Sequence, residues 1–290
     1  MAKGDKSQSR IDWAAVVAKA RAIVGRYDTG VTLRQLFYQL VSDQTIQNTE
    51  YHYQRLSRCT AAARRRGGDP FPDLIDLNHR IDCLAQWDGL RDFADAATPQ
   101  YRWRRTEGQK LCLWLVVEKA GITSQLKFWF EYLGINIVGL GGFSSQTLVS
   151  LIRAKVQADG RPAVLIYAGD HDASGDEILT DFRARTGCWA EVRLVALTKD
   201  QVQQYRLPEN PGKTSDSRSK KFCARNGYAP DKPVQVELDA LPPETLRELY
   251  TAAIEDYWDW ASYDAALDRE ERDRERFRGA TVSLTNEDDV

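Results

Sequence analysis

The sequence predicts an α/β protein in which a small helical domain precedes a larger domain built on a parallel sheet. Two observations support this fold class. The N-terminal part has helical periodicity with a single short strand-like segment. From Leu111 onward, near-continuous apolar runs of strand length alternate with helical segments. This is the pattern of βαβ units whose sheet is covered by helices on both faces.

Composition and charge restrict the class of protein. Of the 290 residues, 42% are hydrophobic and 28% are charged, an ordinary balance for a globular protein with ample material for a core. No apolar run approaches the length of a membrane span, and Met1 to Ser7 lacks the apolar segment of a secretory signal. The five scattered cysteines form no C-x-x-C pair. They favour a reducing compartment over a zinc or disulfide framework, so we expect a cytoplasmic protein.

The N-terminal domain is predicted at residues 11–82, after a disordered lead at 1–10. Its predicted helices are Ile11 to Tyr27, Leu33 to Ser42 and Asn48 to Arg66. Thr32 is a typical N-cap for the second of them, and a strand-like segment, Leu74 to Leu77, follows the third. Three short helices and a strand-like segment predict a helix-turn-helix or winged-helix DNA-binding domain. A generic small helical bundle is the alternative.

The second domain is predicted at residues 111–262, between a connecting segment at 83–110 and a charged C-terminal tail at 263–290. Its predicted strands are Leu111–Val117, Ile135–Leu140, Ala163–Tyr167 and Val192–Leu197. Its predicted helices are Gly121–Leu133, Ser144–Gln157, Ser174–Arg185 and Glu244–Trp258. Residues 207–233 lack periodicity and are predicted to form a long loop. The dense acids and arginines of the C-terminal tail predict a solvated helix.

Acidic residues follow two of the predicted strands. Glu118 ends the first strand, and Asp170 and Asp172 come directly after the third. The crevice of an open α/β sheet lies at the carboxyl ends of its strands, and carboxylates on neighbouring strands are close enough to share a hard divalent cation. The alternative is that these acids are helix caps and solvated loop residues.

Two motifs around these acids resemble a known family. Val116-Val117-Glu118-Lys119-Ala120-Gly121 and Gly169-Asp170-His171-Asp172-Ala173-Ser174-Gly175 are similar to the motifs of the Toprim domain of topoisomerases, primases and related nucleases. The form D-x-D-x-S-G is closest to the A subunit of topoisomerase VI and the related meiotic double-strand-break transesterase, especially reduced stand-alone homologues. The resemblance implies that Glu118, Asp170 and Asp172 bind Mg²⁺, for which Mn²⁺ could substitute. Glu237 and Asp239 resemble a later acidic segment of these proteins.

The same subfamily carries the motif R-x-x-(F/Y)-Y in a winged-helix domain, and its final tyrosine attacks DNA. Arg34-Gln35-Leu36-Phe37-Tyr38 matches this motif. Tyr38 and Arg34 lie off the apolar stripe of the predicted helix, so the arginine is placed to hold a phosphate or to stabilise a phenolate. A half-exposed tyrosine packed under a neighbouring domain is the alternative. Tyr51 and Tyr53 match no such motif.

Three groups of basic residues interrupt a chain whose net charge is −2. The first lies on the third predicted helix: Arg55, Arg58, Arg64, Arg65 and Arg66. The second lies between the domains: Arg102, Arg104, Arg105 and Lys110. The third lies in the long loop: Lys213, Arg218, Lys220, Lys221 and Arg225. This segregation predicts a DNA-binding surface with the first group on a recognition helix, although each group alone also suits a solvated face.

The residues and the resemblance together lead to the expectation of a nucleoid-associated enzyme that cleaves double-stranded DNA. Tyr38 would form a 5′-phosphotyrosyl adduct, with Glu118 and Arg34 assisting. The resemblance implies a homodimer in which the tyrosine of one protomer meets the metal site of the other, and a separate ATPase subunit for strand passage. A hydrolytic Toprim nuclease and a non-catalytic winged-helix DNA-binding protein are the alternatives.

Overall fold

The computed structural model describes residues 11–65, 71, 73–76 and 83–285. The predicted lead at 1–10 and Arg66 lie outside these residues. The described chain combines helices with a parallel four-stranded sheet, so the predicted α/β class is confirmed. In the part of the chain that the structure describes, no helix has both the length and the apolar character that crossing a bilayer requires.

The N-terminal module consists of three helices and one short strand pair. Its elements are α1 (Trp13–Val24), β1 (Val31–Thr32), α2 (Leu33–Ser42), α3 (Glu50–Arg64) and β2 (Leu74–Ile75). Helix α2 begins where the sequence predicts, because Thr32 and Gln35 form a reciprocal capping box. Strands β1 and β2 pair in parallel. The three helices are therefore confirmed, whereas their winged-helix arrangement stays a prediction.

A core of its own holds the module together. Leu36, Leu40 and Leu56 are fully buried at the centre of an apolar cluster that also includes Phe37 and Phe71. The apolar stripe predicted on α2 faces this cluster. Burying a leucine or phenylalanine side chain contributes roughly 1.5–3 kcal/mol, so the stripe fixes which face of α2 remains available for chemistry.

The larger domain is a helix-covered parallel sheet. After α4 (Leu90–Ala97), its elements are β3 (Cys112–Val117), α5 (Ala120–Phe130), β4 (Asn136–Gly139), α6 (Gln146–Asp159), β5 (Ala163–Ala168), α7 (Ala173–Thr186) and β6 (Trp189–Ala196). The strand order is β4-β3-β5-β6, all parallel. The chain therefore moves to one side after β3 and to the other side for β5. This reversal of direction makes the carboxyl ends of β3 and β5 a topological switch point.

The segment after the sheet is more ordered than the sequence predicts. Its elements are α8 (Lys199–Gln204), β7 (Asn210–Pro211), α9 (Ser219–Asn226), β8 (Val234–Gln235), α10 (Pro243–Glu255) and α11 (Trp260–Thr285). The prediction of one long loop at 207–233 is wrong in part, because β7 pairs with β8 and α9 lies between them. These elements are too short to leave a periodic signal.

The C-terminal helix α11 is attached to the domain by a buried carboxylate. Glu270 is only 1% exposed, and it binds Arg105 at 2.8 Å and Arg274 at 2.5 Å. The helix runs continuously through residues 262 and 263. The expectation of a fully solvated helix is therefore wrong at Glu270. Arg105, which the sequence grouped with DNA-binding residues, serves this internal contact.

One buried amide joins the N-terminal module to the sheet domain. The Gln39 side chain on α2 is 3% exposed, and its Nε2 donates to the carbonyl oxygens of Asp239 at 3.0 Å and Leu241 at 3.1 Å. Both carbonyls belong to a single 3₁₀ turn and its exit, which lie after β8. This contact places α2 directly against the segment that follows β8.

Replacing Gln39 with alanine should weaken the fold, because it leaves two buried carbonyl groups without their donors. We expect Gln39→Ala to lower the free energy of unfolding by about 1–3 kcal/mol, measured by urea denaturation. Gln54 is the control, since its amide donates to Glu50 on an exposed helix face, and Gln54→Ala should change stability by no more than about 0.5 kcal/mol. Equal losses in the two variants would contradict the role of Gln39.

Candidate active site

The predicted acids meet at the switch point of the sheet. Glu118 directly follows β3, and its backbone N–H donates to Ala168 at the end of β5 at 2.9 Å. Asp170 and Asp172 follow β5 after one glycine. Glu118, Asp170 and Asp172 line the same cavity of about 280 Å³. The structure thus brings together all three residues that the sequence singled out as metal ligands.

Each of the three carboxylates has one oxygen bound to a backbone amide. Glu118 Oε2 accepts from the Asp170 N–H at 3.0 Å, and Asp170 Oδ1 accepts from the Leu238 N–H at 2.8 Å. Asp172 Oδ1 accepts from Ser174 at 2.9 Å and from Gly175 at 2.7 Å, so Asp172 is the N-cap of α7. Asp172 can cap the helix and line the cavity at the same time, because the cap uses only one of its two carboxylate oxygens.

Two glycines leave the space that the Glu118 side chain occupies. A Cβ on Gly175 would lie 2.3 Å from the Asp170 carbonyl oxygen and 3.0 Å from Glu118 Oε2. A Cβ on Gly169 would lie 2.9 Å from the same Glu118 oxygen. Real Cβ atoms essentially never lie less than 3.0 Å from such neighbours, so residues 169 and 175 are glycine for steric reasons.

Lys119 lies among these acids, and the sequence analysis assigned it no role. Its Nζ is 2.5 Å from Asp170 Oδ2 and 2.5 Å from Glu237 Oε2. Glu237 comes from the segment after β8, which pairs with the residue between the two aspartates through the backbone of His171 and Val236. The position of Lys119 directly after Glu118 is the only signal in the sequence that could have indicated this contact.

The pKa values reflect the crowding of acids. Burial raises the pKa of Glu118 and raises that of Asp170 well above its usual value, with Lys119 opposing the shift. Burial likewise raises the pKa of Asp239 to about 6. The pKa of Glu237 is lowered, because the charges of Lys119 and Arg34 outweigh the effect of burial. The cluster therefore holds more acidic groups than its two cations neutralise, which favours an added cation.

The oxygen ligands that these carboxylates offer are of the type that a hard divalent cation prefers. Glu118, Asp170 and Asp172 supply carboxylate oxygens, the ligands that Mg²⁺ prefers, and Glu118 Oε1 and Asp172 Oδ2 accept no hydrogen bond from the residues that the structure describes. Within residues 11–65, 71, 73–76 and 83–285, however, no three His, Cys, Asp or Glu side chains stand in the geometry of a metal site. Lys119 binds the second oxygen of Asp170, so Asp170 has to exchange a contact with Lys119 for one with a metal.

Tyr38 and Arg34 lie next to this cluster in the same chain. The Arg34 guanidinium is 5.6 Å from the centre of the Tyr38 ring, and its Nη2 is 3.8 Å from Glu237 Oε2. The Tyr38 hydroxyl lies close enough to Glu237 for each group to shift the pKa of the other. Arg34 also lines a second cavity of about 290 Å³, and Glu118 lines this cavity as well as the first one. The two cavities joined at Glu118 form one crevice, with Arg34 of the tyrosine motif at one end and Asp170 and Asp172 at the other.

Tyr38 is protonated in the resting protein. Burial raises the pKa of its hydroxyl, the charge of Glu237 adds to this effect, and Arg34 and Lys119 oppose it. Its ring packs edge-on against Phe37, with 5.4 Å between ring centres. The surroundings of Tyr38 are thus consistent with both interpretations from the sequence. Its ring packs as a structural tyrosine would, and its hydroxyl lies near the acidic residue Glu237, as a nucleophile's could.

The predicted DNA-binding residues fall into two separate places. Arg55, Arg58, Arg64 and Arg65 are exposed on or just after α3, and Arg64 donates to the Leu74 carbonyl at 3.2 Å. The loop group lies at the acids, where Lys213 and Arg218 line the same cavity as Asp170. Lys220 and Lys221 are exposed on α9, whereas Arg225 forms an ion pair with Asp176. Only the loop group is thus brought next to the candidate site.

The comparisons with known proteins add no assignment to this geometry. No protein-family model matches the chain, and no curated protein matches its sequence. The proposals below therefore depend on the residues and their contacts.

The steric argument for Gly175 leads to a stability prediction. Gly175→Ala should lower the free energy of unfolding by about 1–3 kcal/mol, the usual cost of overpacking, because the added methyl collides with the Asp170 carbonyl. Chemical denaturation measures this difference. The matched control is Gly279→Ala on α11, where an added Cβ meets nothing within 4 Å and alanine should stabilise the helix by about 0.5–1 kcal/mol. A Gly175→Ala variant as stable as the unmodified protein would refute the steric requirement.

Proposed function

We propose that this protein cleaves double-stranded DNA by transesterification, with Tyr38 as the nucleophile. The observation that carries the proposal is the crevice with Arg34 at one end and Asp170 and Asp172 at the other, together with Tyr38, whose ring lies beside the Arg34 guanidinium. The resemblance to the Toprim and R-x-x-(F/Y)-Y motifs, as found in the topoisomerase VI A subunit, gives this arrangement its chemical meaning. The exposed arginines of α3 and the lysines of α9 supply positive charge for the DNA backbone.

In the proposed reaction, the Tyr38 hydroxyl oxygen attacks a backbone phosphorus atom. A bond forms between this oxygen and phosphorus, and the bond from phosphorus to the 3′ oxygen breaks. The 5′ end of the DNA is then joined to Tyr38, and the leaving oxygen takes up a proton as a 3′-hydroxyl. Because the reaction exchanges one phosphodiester for another, no external energy source is needed and the step is reversible.

The residues around Tyr38 each have a separate role in this reaction. Glu237 is the carboxylate placed to accept the phenolic proton, because it lies close enough to Tyr38 to raise the pKa of its hydroxyl. Arg34 offsets negative charge on the attacked phosphate. Lys119 keeps Glu237 ionised and therefore able to accept a proton. Glu118, Asp170 and Asp172 are the residues that would hold Mg²⁺ or Mn²⁺, which when bound supplies Lewis-acid stabilisation of charge on phosphate oxygens.

One observation favours a second candidate, hydrolysis by a metal-activated water. The pKa of Tyr38 is raised and its ring is packed against Phe37, as expected for a structural tyrosine. In that case the acids alone carry the reaction and no protein–DNA adduct forms. Adduct formation therefore separates the two candidates.

Tyr38→Phe should abolish the adduct, because phenylalanine keeps the ring that packs on Phe37 and lacks only the attacking oxygen. The assay incubates the protein with supercoiled plasmid and Mg²⁺ or Mn²⁺ and compares denaturing gels with and without protease. We expect a protease-sensitive adduct that falls by more than about 10³-fold in the variant. Tyr53→Phe is the matched control, since the Tyr53 ring is also half-buried and packs edge-on against Phe37 at 5.3 Å. It should retain the adduct.

Other outcomes of the same assay discriminate the alternatives. Adduct-free nicks that survive Tyr38→Phe and disappear in Asp170→Asn would refute transesterification and support hydrolysis. DNA binding without any cleavage would support a non-catalytic DNA-binding protein. The separate ATPase subunit that the resemblance implies for strand passage takes no part in this assay, and the homodimer that it implies is tested by mixing two variants.

A mixing experiment tests whether the active site is formed within one chain. The resemblance implies a tyrosine acting on the metal site of a partner, whereas Tyr38 lies beside Arg34 and close to Glu237 of its own chain. We therefore expect that Tyr38→Phe and Asp170→Asn, refolded together, do not restore the adduct. Recovery of a substantial fraction of the activity in the mixture, with neither variant active alone, would instead show a site shared between two protomers.

A further inference from the structure

An exposed aromatic ring lies on the loop between β4 and α6, next to residues that line the crevice. Phe143 is 53% exposed, and it follows two glycines, Gly141 and Gly142, with φ of 66° and 107°. Both glycines line the cavity that contains Arg34 and Glu118. These backbone angles favour glycine, and nothing lies within 4 Å of either ideal Cβ position. The two glycines therefore turn the chain outward and leave the ring in solvent.

The loop that carries the ring is attached at both ends. The Gly141 N–H donates to the Glu118 carbonyl oxygen at 2.8 Å, so the loop begins at a residue of the candidate site. At the other end, Arg185 Nη1 donates to the Ser144 carbonyl oxygen at 2.7 Å. Phe143 thus has a fixed place relative to Glu118.

A cation accompanies the ring. The Arg218 guanidinium is 6.0 Å from the centre of the Phe143 ring, and Asp216 orients it by accepting hydrogen bonds from its Nε and Nη2. Arg218 also lines the cavity of Asp170. A nucleotide combines an anionic phosphate with a flat base, so an arginine beside an exposed phenyl ring matches its two parts. Aromatic rings in such positions bind unpaired bases by stacking.

We propose that Phe143 stacks on an unpaired base next to the phosphate that Tyr38 attacks, and that the preferred substrate is DNA with a disrupted base pair at that position. This inference rests on the proposed function, because it places DNA in the crevice, and it adds the substrate class. Stacking of one base on an aromatic side chain contributes 1–3 kcal/mol, which corresponds to roughly 5- to 150-fold in affinity. A fully paired duplex offers Phe143 no base face unless it opens.

The test compares two DNA molecules that differ by one unpaired base. Binding of a paired duplex, and of the same duplex carrying one unpaired 2-aminopurine, is measured by fluorescence anisotropy without divalent metal. We expect the unmodified protein to bind the second DNA about tenfold more tightly and to quench the 2-aminopurine emission through stacking. Phe143→Ala should lose both effects while binding the paired duplex normally. Phe143→Trp should keep them.

The matched control is Phe128→Ala, since Phe128 is 57% exposed on α5 and its neighbours from Ile122 to Phe130 line neither cavity of the crevice, unlike the two glycines that precede Phe143. It should keep the preference and the quenching. A preference that survives Phe143→Ala overturns the proposal. Loss of a dimer in Phe143→Ala, seen by light scattering, also overturns it, since the ring would then serve subunit contact.

Cleavage assays on the same DNA separate this inference from the proposed function. An unmodified protein that prefers and quenches the unpaired base but never cleaves refutes the transesterase and leaves the stacking intact. A protein that forms the Tyr38 adduct equally well with and without Phe143 on both DNA molecules refutes the stacking and leaves the transesterase intact. A protein that binds neither DNA refutes both.

Discussion

The contact of Lys119 with two buried carboxylates is the interaction on which the candidate site depends. Asp170 belongs to the edge of the sheet, whereas Glu237 belongs to the segment that follows β8, and Lys119 Nζ binds both at 2.5 Å. Removing one partner from a buried ion pair costs several kcal/mol. Without the lysine, the two acids would repel each other, and this repulsion would oppose the hydrogen bonds of Leu238 to Asp170 and of Val236 to His171 that hold the segment at the sheet edge.

This segment in turn positions the tyrosine. It bonds to the backbone of His171 on one side and accepts two hydrogen bonds from Gln39 of α2 on the other. Because the apolar stripe of α2 faces its own core, the polar face with Arg34 and Tyr38 turns toward Glu237. The N-terminal module and the sheet domain thus share one crevice, which neither would form alone.

The charges that line the crevice suit the metal and the phosphates of the proposed function. Glu118 and Asp170 have raised pKa values because burial disfavours their charged forms. A bound cation would therefore stabilise the two carboxylates in their charged forms. Lys213 and Arg218 line the same cavity and would offer positive charge to a polyanion. In the proposed function, the acids would hold the metal and these two cations would contact the DNA backbone.

Much of the fold was predictable because it follows from local pattern. The four strands of the parallel sheet, their helices and the cap at Thr32 agree with the sequence prediction to within a few residues, since apolar runs and capping residues act over one or two turns. The elements between 207 and 233 were missed for the opposite reason. Strand β7 has two residues and α9 has eight, so neither produces a periodic signal, and both depend on contacts with distant parts of the chain.

The sequence by itself determined which residues could carry chemistry: the strand-end acids, because parallel strands end at a common edge, and Tyr38 with Arg34, because helical periodicity places them off the buried stripe. Only the tertiary structure decided which partners they have. Lys119 joins Asp170 to Glu237, which lies 118 positions further along the chain than the lysine, Arg105 is used inside the fold by Glu270, and Phe143 is exposed on the loop beside the crevice. Such contacts link residues far apart in the chain, and no local pattern encodes the distance between them.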